Sequence, residues 1–205
     1  MKKALLKMTL VVALAGNLTG CIGLVIGGAA VGVMAVTDRR TIGAQTEDQG
    51  IEFKASEAVR TRVKNPGGIS VTSFNRKVLI TGQVLDEQSR RDAESIVGKI
   101  ENVRSVHNEL AVSSRASLGT NTSDASITAR VKTAFLEASD LHTNVFKVVT
   151  EAGTSFLMGV VTPKEGKRAA DEAAKVSGVQ KVVTMFEYIS DEELAKMQAA
   201  GRQSK

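Results

Sequence analysis

The amino-acid sequence predicts an α+β protein of two tandem modules, each an αββαβ unit whose three-stranded mixed sheet packs against two helices. Three observations carry that expectation. Segments with helical and strand periodicity recur in one order: Gly82 and Gly159, and Val71 and Val148, lie 77 positions apart, while Val103 and Val106 match Val179 and Val182 at 76. With one Tyr, no Trp and six Phe, the core has to be built from Val, Ile, Leu and Ala, which suits two small layered units better than one large domain. A stretch rich in Ser, Thr, Asn and Gly separates the two copies.

The elements follow in chain order. Lys2, Lys3 and Lys7 lead into an apolar run from Met8 to Ala15, the charged start and greasy middle of a secretory signal. A membrane-spanning helix needs about 20 apolar residues, so this run is too short to be one. It ends in Leu18-Thr19-Gly20-Cys21, which resembles a bacterial lipobox: the Cys21 thiolate takes up a diacylglyceryl group, and cleavage leaves that cysteine first. Cys21 is the one cysteine of the chain, so it has no disulfide to form. Each buried acyl CH₂ contributes about 0.8 kcal/mol, and several chains together hold a soluble domain to a bilayer. Ile22 stands where an Asp would retain such a protein at the inner membrane, which favours the outer one.

Residues 1–20 are thus expected to be a lipoprotein signal peptide and 21–50 the lipidated cysteine and tether. Within the tether, Ile22 to Val36 is apolar and Gly-rich, with Gly23, Gly27, Gly28 and Gly32 spaced four apart in two pairs. A helix-pairing segment stays open, but fifteen residues are few and each Gly weakens a helix by about 1 kcal/mol, so a flexible or surface-adsorbed tether is preferred. The polar stretch Thr37 to Gly50 reads as an extended approach to the first module.

That module is expected over 51–113. Ala55, Val59 and Val63 mark a helix from Ile51 to Lys64, ended by Asn65-Pro66-Gly67-Gly68. Two strands follow around Asn75-Arg76, then a helix opened by Asp86 with Ala93, Ile96, Val97 and Ile100 on its buried face, then a strand over Val103 to Val112. After a linker over 114–123, the second module spans 124–190. Asp124 opens its first helix, strands flank Glu151-Ala152-Gly153, Pro163 starts its second helix, and a strand follows Gly178. The first helices are expected to match at an offset of 72, through a longer helix-to-strand loop in the second copy. Residues 191–205 form a tail, with Ser190 opening a short capped helix.

Charge says little. The signal segment holds three of the 27 basic residues, which leaves 24 against 22 acidic ones, with no basic block of the kind that binds nucleic acid. Catalysis finds no machinery: His107 and His142 fall in different modules, neither has metal-ligand neighbours, and no nucleophile–base pair is visible. The chain is expected to be no enzyme and to need no cofactor beyond the covalent lipid on Cys21.

The order helix, strand, strand ending in Thr81-Gly82 or Met158-Gly159, helix, and Val-x-x-Val strand resembles the BON domain, a module associated with phospholipid membranes. With the lipobox, the segment Ala35 to Gly43, Phe156-Leu157-Met158-Gly159 and Val176-Ser177-Gly178-Val179, the chain is similar to dual-BON outer-membrane lipoproteins. The resemblance implies a lipid-anchored protein on the periplasmic face of the outer membrane that supports envelope integrity and associates with the division site. Its partners would be anionic phospholipids of the inner leaflet and envelope proteins, with the first helix of the second module as the lipid contact.

On that helix the stripe Ile127, Val131, Phe135 and Ala138 faces one way, and Leu136 points about 140° from its centre, so Leu136 should be exposed. Ala129 and Lys132 lie beside it, with Arg130 and Ser126 further round, an apolar tip flanked by two cations and suited to anionic headgroups. The family pattern carries an aromatic residue where this chain has Ser126, a departure that removes an interfacial anchor. Gly82 and Gly159 are read as structural, at points where a helix crosses too closely for a side chain. A protein-interaction adaptor that docks an envelope assembly machine without binding lipid is the alternative function.

Overall fold

The computed structural model describes residues 38–64, 66–113 and 121–203. The expected signal peptide, Cys21, the expected tether as far as Thr37 and residues 114–120 of the expected linker lie outside the described residues.

Helix α1 (Ile42–Arg62) begins nine residues before the periodicity suggested. Thr41 explains the start: its backbone is extended and its hydroxyl accepts the Ala44 N–H at 3.1 Å. Most of the stretch expected to be extended is therefore helix. The signal was hidden because the one buried residue between Ile42 and Gly50 is Asp48, a charge rather than an apolar marker. Strands β1 (Gly68–Phe74) and β2 (Lys77–Val84) pair antiparallel, with Val71 opposite Ile80. Asn75 and Arg76 at the turn both have positive φ, 49° and 66°, as a tight hairpin between right-twisted strands requires. Helix α2 (Glu87–Gly98) is capped by Asp86, whose carboxylate accepts the Ser89 N–H at 2.7 Å.

The strand expected over Val103 to Val112 is split into β3 (Ser105–Asn108) and β4 (Ala111–Val112), both parallel to β2. Asn108 divides it. Its amide donates to the Arg90 carbonyl at 2.9 Å and its Oδ1 accepts the Leu110 N–H at 3.2 Å, and Leu110 is buried in the core.

The second module repeats the plan with α3 (Asn121–Glu137), a 3₁₀ turn (Thr143–Val145), β5 (Phe146–Glu151), β6 (Thr154–Val161), α4 (Pro163–Ala174) and β7 (Lys181–Tyr188). Strand β6 is central, antiparallel to β5 and parallel to β7. Thr162 and Glu165 form a full capping box at α4, with Pro163 in its first turn. Helix α5 (Asp191–Gln203) closes the described chain. Helix α3 starts three residues before Asp124, which therefore does not cap it.

The helix offset of 72 is corrected to 76. Ile51, Ala55 and Val59 line the first core where Ile127, Val131 and Phe135 line the second. The same offset relates the caps Asp86 and Thr162 and the buried Leu110 and Phe186. The first helix-to-strand loops thus differ by one residue, since strands one and two keep 77.

Each sheet has an inner face on its own helices and an outer face. The outer faces meet: Phe74 and Leu79 of the first module form one buried cluster with Phe156, Met158, Val160 and Met185 of the second. Lys147 Nζ donates to Glu52 Oε1 at 2.6 Å and to the Ser73 carbonyl at 3.1 Å, and Asn75 Nδ2 to Glu187 Oε2 at 2.7 Å. The described residues of the two modules accordingly belong to one compact unit.

Candidate lipid-facing helix

Helix α3 lies on its sheet through Ile127, Val131 and Phe135, all buried, and the Phe135 ring tilts against Phe146 with centroids 5.1 Å apart. Asp124, also buried, fixes the helix to the hairpin: its two carboxylate oxygens accept the N–H groups of Ala152 and Gly153 at 2.8 and 3.0 Å. With one side held this firmly, the opposite side is fixed in orientation.

That side carries Ser126, Ala129, Arg130, Lys132 and Leu136, every one exposed. Leu136 leaves 70 % of its surface in solvent. At 100° per residue, Ala129 lies about 20° and Lys132 about 40° from it around the helix axis. The cations differ. Arg130 donates to Ser126 Oγ at 2.6 Å and, through Nε and Nη2, to the Ser177 carbonyl at 3.2 and 3.0 Å. It therefore braces the Ser177-Gly178 turn, where Gly178 has φ of +94° and a Cβ would meet Arg130 and Ile127 at 3.0 Å. Ser126 serves as its acceptor. Lys132 is the cation that stands beside Leu136, and Glu137, also exposed, tempers the charge of the face.

The two strand glycines are tight for reasons other than a crossing helix. Gly82 has φ of +109°, and a Cβ there would lie 1.9 Å from the Gly68 carbonyl oxygen on the neighbouring strand. Gly159 has an ordinary backbone, and its Cβ would meet the Val145 carbonyl oxygen at 3.0 Å and Val161 at 3.2 Å. His107 and His142 are exposed. Among the described residues no cluster of three His, Cys, Asp or Glu could hold a metal ion, and no helix is long and apolar enough to cross a membrane.

Two features escaped the sequence reading. One is the pair of Asp48 and Asp124 at the hairpins. The other is the outer apolar face, which had a signal: Val78-Leu79-Ile80 and Phe156 to Val161 are unbroken apolar runs, the mark of strands covered on both sides.

A BON domain model matches residues 47–114 and again 123–190. The chain is 37 % identical over 174 residues to a protein of Haemophilus influenzae named outer membrane lipoprotein DolP, covering 84 % of this chain and 90 % of that one. It is 29 % identical over 154 residues to a 21 kDa hemolysin of Actinobacillus pleuropneumoniae, covering 74 % and 79 %. Among solved structures, CdsD of the type III secretion system of Chlamydia trachomatis covers 71 % of this chain and 95 % of its own at 10 % identity, with a TM-score of 0.29.

Proposed function

The chain belongs to the BON-domain family, and on that premise we propose that it is a lipid-anchored outer-membrane lipoprotein whose second module contacts anionic phospholipid through the outer face of α3. Cys21 carries the lipid, and the face is formed by Leu136 and Lys132, with Ala129 between turns and Arg130 and Ser126 at its margin. The role is non-enzymatic support of envelope integrity, including at the division site. The reading as a lipoprotein is supported by the H. influenzae relative, which matches along most of both chains.

One observation carries the lipid contact: Leu136 is largely in solvent on a helix whose opposite side is core. A large apolar side chain with a cation beside it gains on entering a headgroup layer, where the tip leaves water and the charge meets phosphate. The test is co-sedimentation of residues 37–205, which lack the lipidated cysteine, with anionic and zwitterionic vesicles. Leu136→Glu with Lys132→Glu should abolish anionic-vesicle binding at an unchanged melting temperature, and undiminished binding by the folded variant refutes the site. Arg130→Glu makes a poorer probe because it also removes the brace on Ser177.

A second reading, the adaptor, has one observation in its favour. Ile42 and Phe53 lie on one face of α1, 56 % and 76 % exposed, three turns apart. A photocrosslinker at Phe53 that captures one defined envelope protein, with no vesicle binding by residues 37–205, would favour that reading.

A further inference from the structure

Asp38, Arg39 and Arg40 lie where the tether meets α1, and the two arginines go to different modules. Arg40 holds the first. Its Nη1 donates to Asp48 Oδ2 at 2.7 Å, its Nε and Nη2 donate to the Asp38 carboxylate at 3.1 and 2.7 Å, and its guanidinium lies 4.0 Å from the centre of the Phe74 ring. Arg39 holds the second. Its Nη1 and Nη2 donate to the two carboxylate oxygens of Glu165 at 2.7 and 2.6 Å, and Nη1 donates also to the Val160 carbonyl at 2.9 Å.

Neither partner is a loose surface charge. The Arg39 side chain is 8 % exposed and that of Glu165 19 %, so solvent screens the pair less than it would an exposed one. Glu165 is itself held, because Oε2 accepts the Thr162 N–H at 2.8 Å in the α4 capping box. A planar guanidinium that meets both oxygens of a fixed carboxylate allows one geometry, which a lysine would not enforce.

We propose that Asp38–Arg40 is a strap that fastens the exit of the membrane tether to both modules at once, with Arg39 the positioning residue that sets the second module's orientation. The apolar cluster between the outer faces cannot do this alone, since burial of apolar surface is non-directional and tolerates sliding. Other polar links between the modules, Lys147 to Glu52, Asn75 to Glu187 and Lys77 Nζ to the Phe186 carbonyl at 3.3 Å, arise at α1, the hairpin and the start of β2 in the first module. Arg39 adds a constraint at the tether. If α3 is the lipid contact, the strap fixes where the chain leading from the anchor joins the modules that carry it; that consequence rests on the proposed function, whereas the strap does not.

The test places nitroxides on p-acetylphenylalanine at Ser95 of α2 and Ala174 of α4, both exposed and remote from the strap, in the full mature lipoprotein in detergent. Pulsed dipolar spectroscopy should give one narrow distance distribution for the native strap. Arg39→Ala and Glu165→Gln should each add a second population while the protein keeps its melting temperature, the glutamine retaining an oxygen for the Thr162 N–H. Arg39→Lys should fall between. Distributions as narrow as the native one in both Arg39→Ala and Glu165→Gln overturn the strap. Because no lipid enters this measurement, its failure is distinct from failure of the vesicle assay.

Discussion

Asp48 and Asp124, 76 positions apart, make the same contact: each carboxylate on a first helix accepts the two N–H groups at the hairpin turn of its own module. Asp48 takes those of Asn75 and Arg76 at 2.7 and 2.8 Å, and Asp124 those of Ala152 and Gly153. Both turns hold non-glycine residues at positive φ, Arg76 at 66° and Ala152 at 47°. A left-handed non-glycine residue costs about 1–2 kcal/mol, and charge-assisted hydrogen bonds to the turn offset that cost. Asp124→Ala should destabilise the second module by about 2–4 kcal/mol, since it strands two turn donors and loses the strain relief. Ala152→Gly removes the strain from the same turn, so the penalty for Asp124→Ala measured by denaturant melts should shrink in that background. Equal penalties in the two backgrounds would separate the carboxylate from the turn strain.

Asp48 also links stability to pH. Burial alone would raise its pKa, but the hydrogen bonds from the Arg76 N–H, the Ser73 hydroxyl, the Asn75 N–H and Arg40 outweigh it and hold the carboxyl below its ordinary value. A depressed folded-state pKa means stability fully present above the unfolded value, about 3.9 for Asp, and lost as pH falls through that value toward the folded one. The native protein should therefore lose stability steeply on acidification below about pH 4. Asp48→Asn should be less stable at neutral pH and show a flatter acid limb in urea melts across that range; parallel limbs would remove Asp48 as a cause.

How far the sequence showed the fold depends on which side of each element was apolar. The second helices were legible because Asp86 and Pro163 mark their starts and Ala93, Val97, Ala169 and Ala173 bury a clean stripe. The start of α1 was not, since its first inward residue is a carboxylate held by Arg40, eight positions before it, and by the β1 and hairpin groups 25 to 28 positions after it. The outward placement of Leu136 followed from helical spacing. The engagement of Arg130 by Ser177, 47 residues on, did not, because no local pattern encodes a contact to a distant carbonyl. The division of labour between Arg39 and Arg40 was invisible for the same reason.

Gly82 and Gly159 occupy one position of the repeat under different constraints, so they should respond differently to alanine. At Gly82 the backbone has φ of +109° and the new methyl would fall 1.9 Å from a carbonyl oxygen fixed in the adjacent strand. Strain and clash together should cost the first module about 2 kcal/mol or more. At Gly159 the φ is ordinary and the nearest atoms, at 3.0 to 3.4 Å, need give by only tenths of an ångström. Calorimetry of the two single variants should show the larger fall in melting temperature for Gly82→Ala. The reverse order would mean that the contact with Val145 and Phe146, not backbone conformation, governs this position.

The cluster of Phe74, Leu79, Phe156 and Met158 makes the modules thermodynamically coupled, and β6 offers a way to test it. Met158 and Leu157 are both fully buried neighbours in the strand, yet they point to opposite faces, Met158 toward the other module and Leu157 into its own core. An unpaired carboxylate costs several kcal/mol to bury. For Met158→Asp the chain has an escape, because parting the outer faces exposes the charge to water while each module keeps the core beneath its helices. The single melting transition expected of the native protein should then separate into two. Leu157→Asp has no such escape and should unfold the second module outright while the first still melts. A Met158→Asp protein that melts in one step at the native temperature would show that the outer faces contribute no coupling.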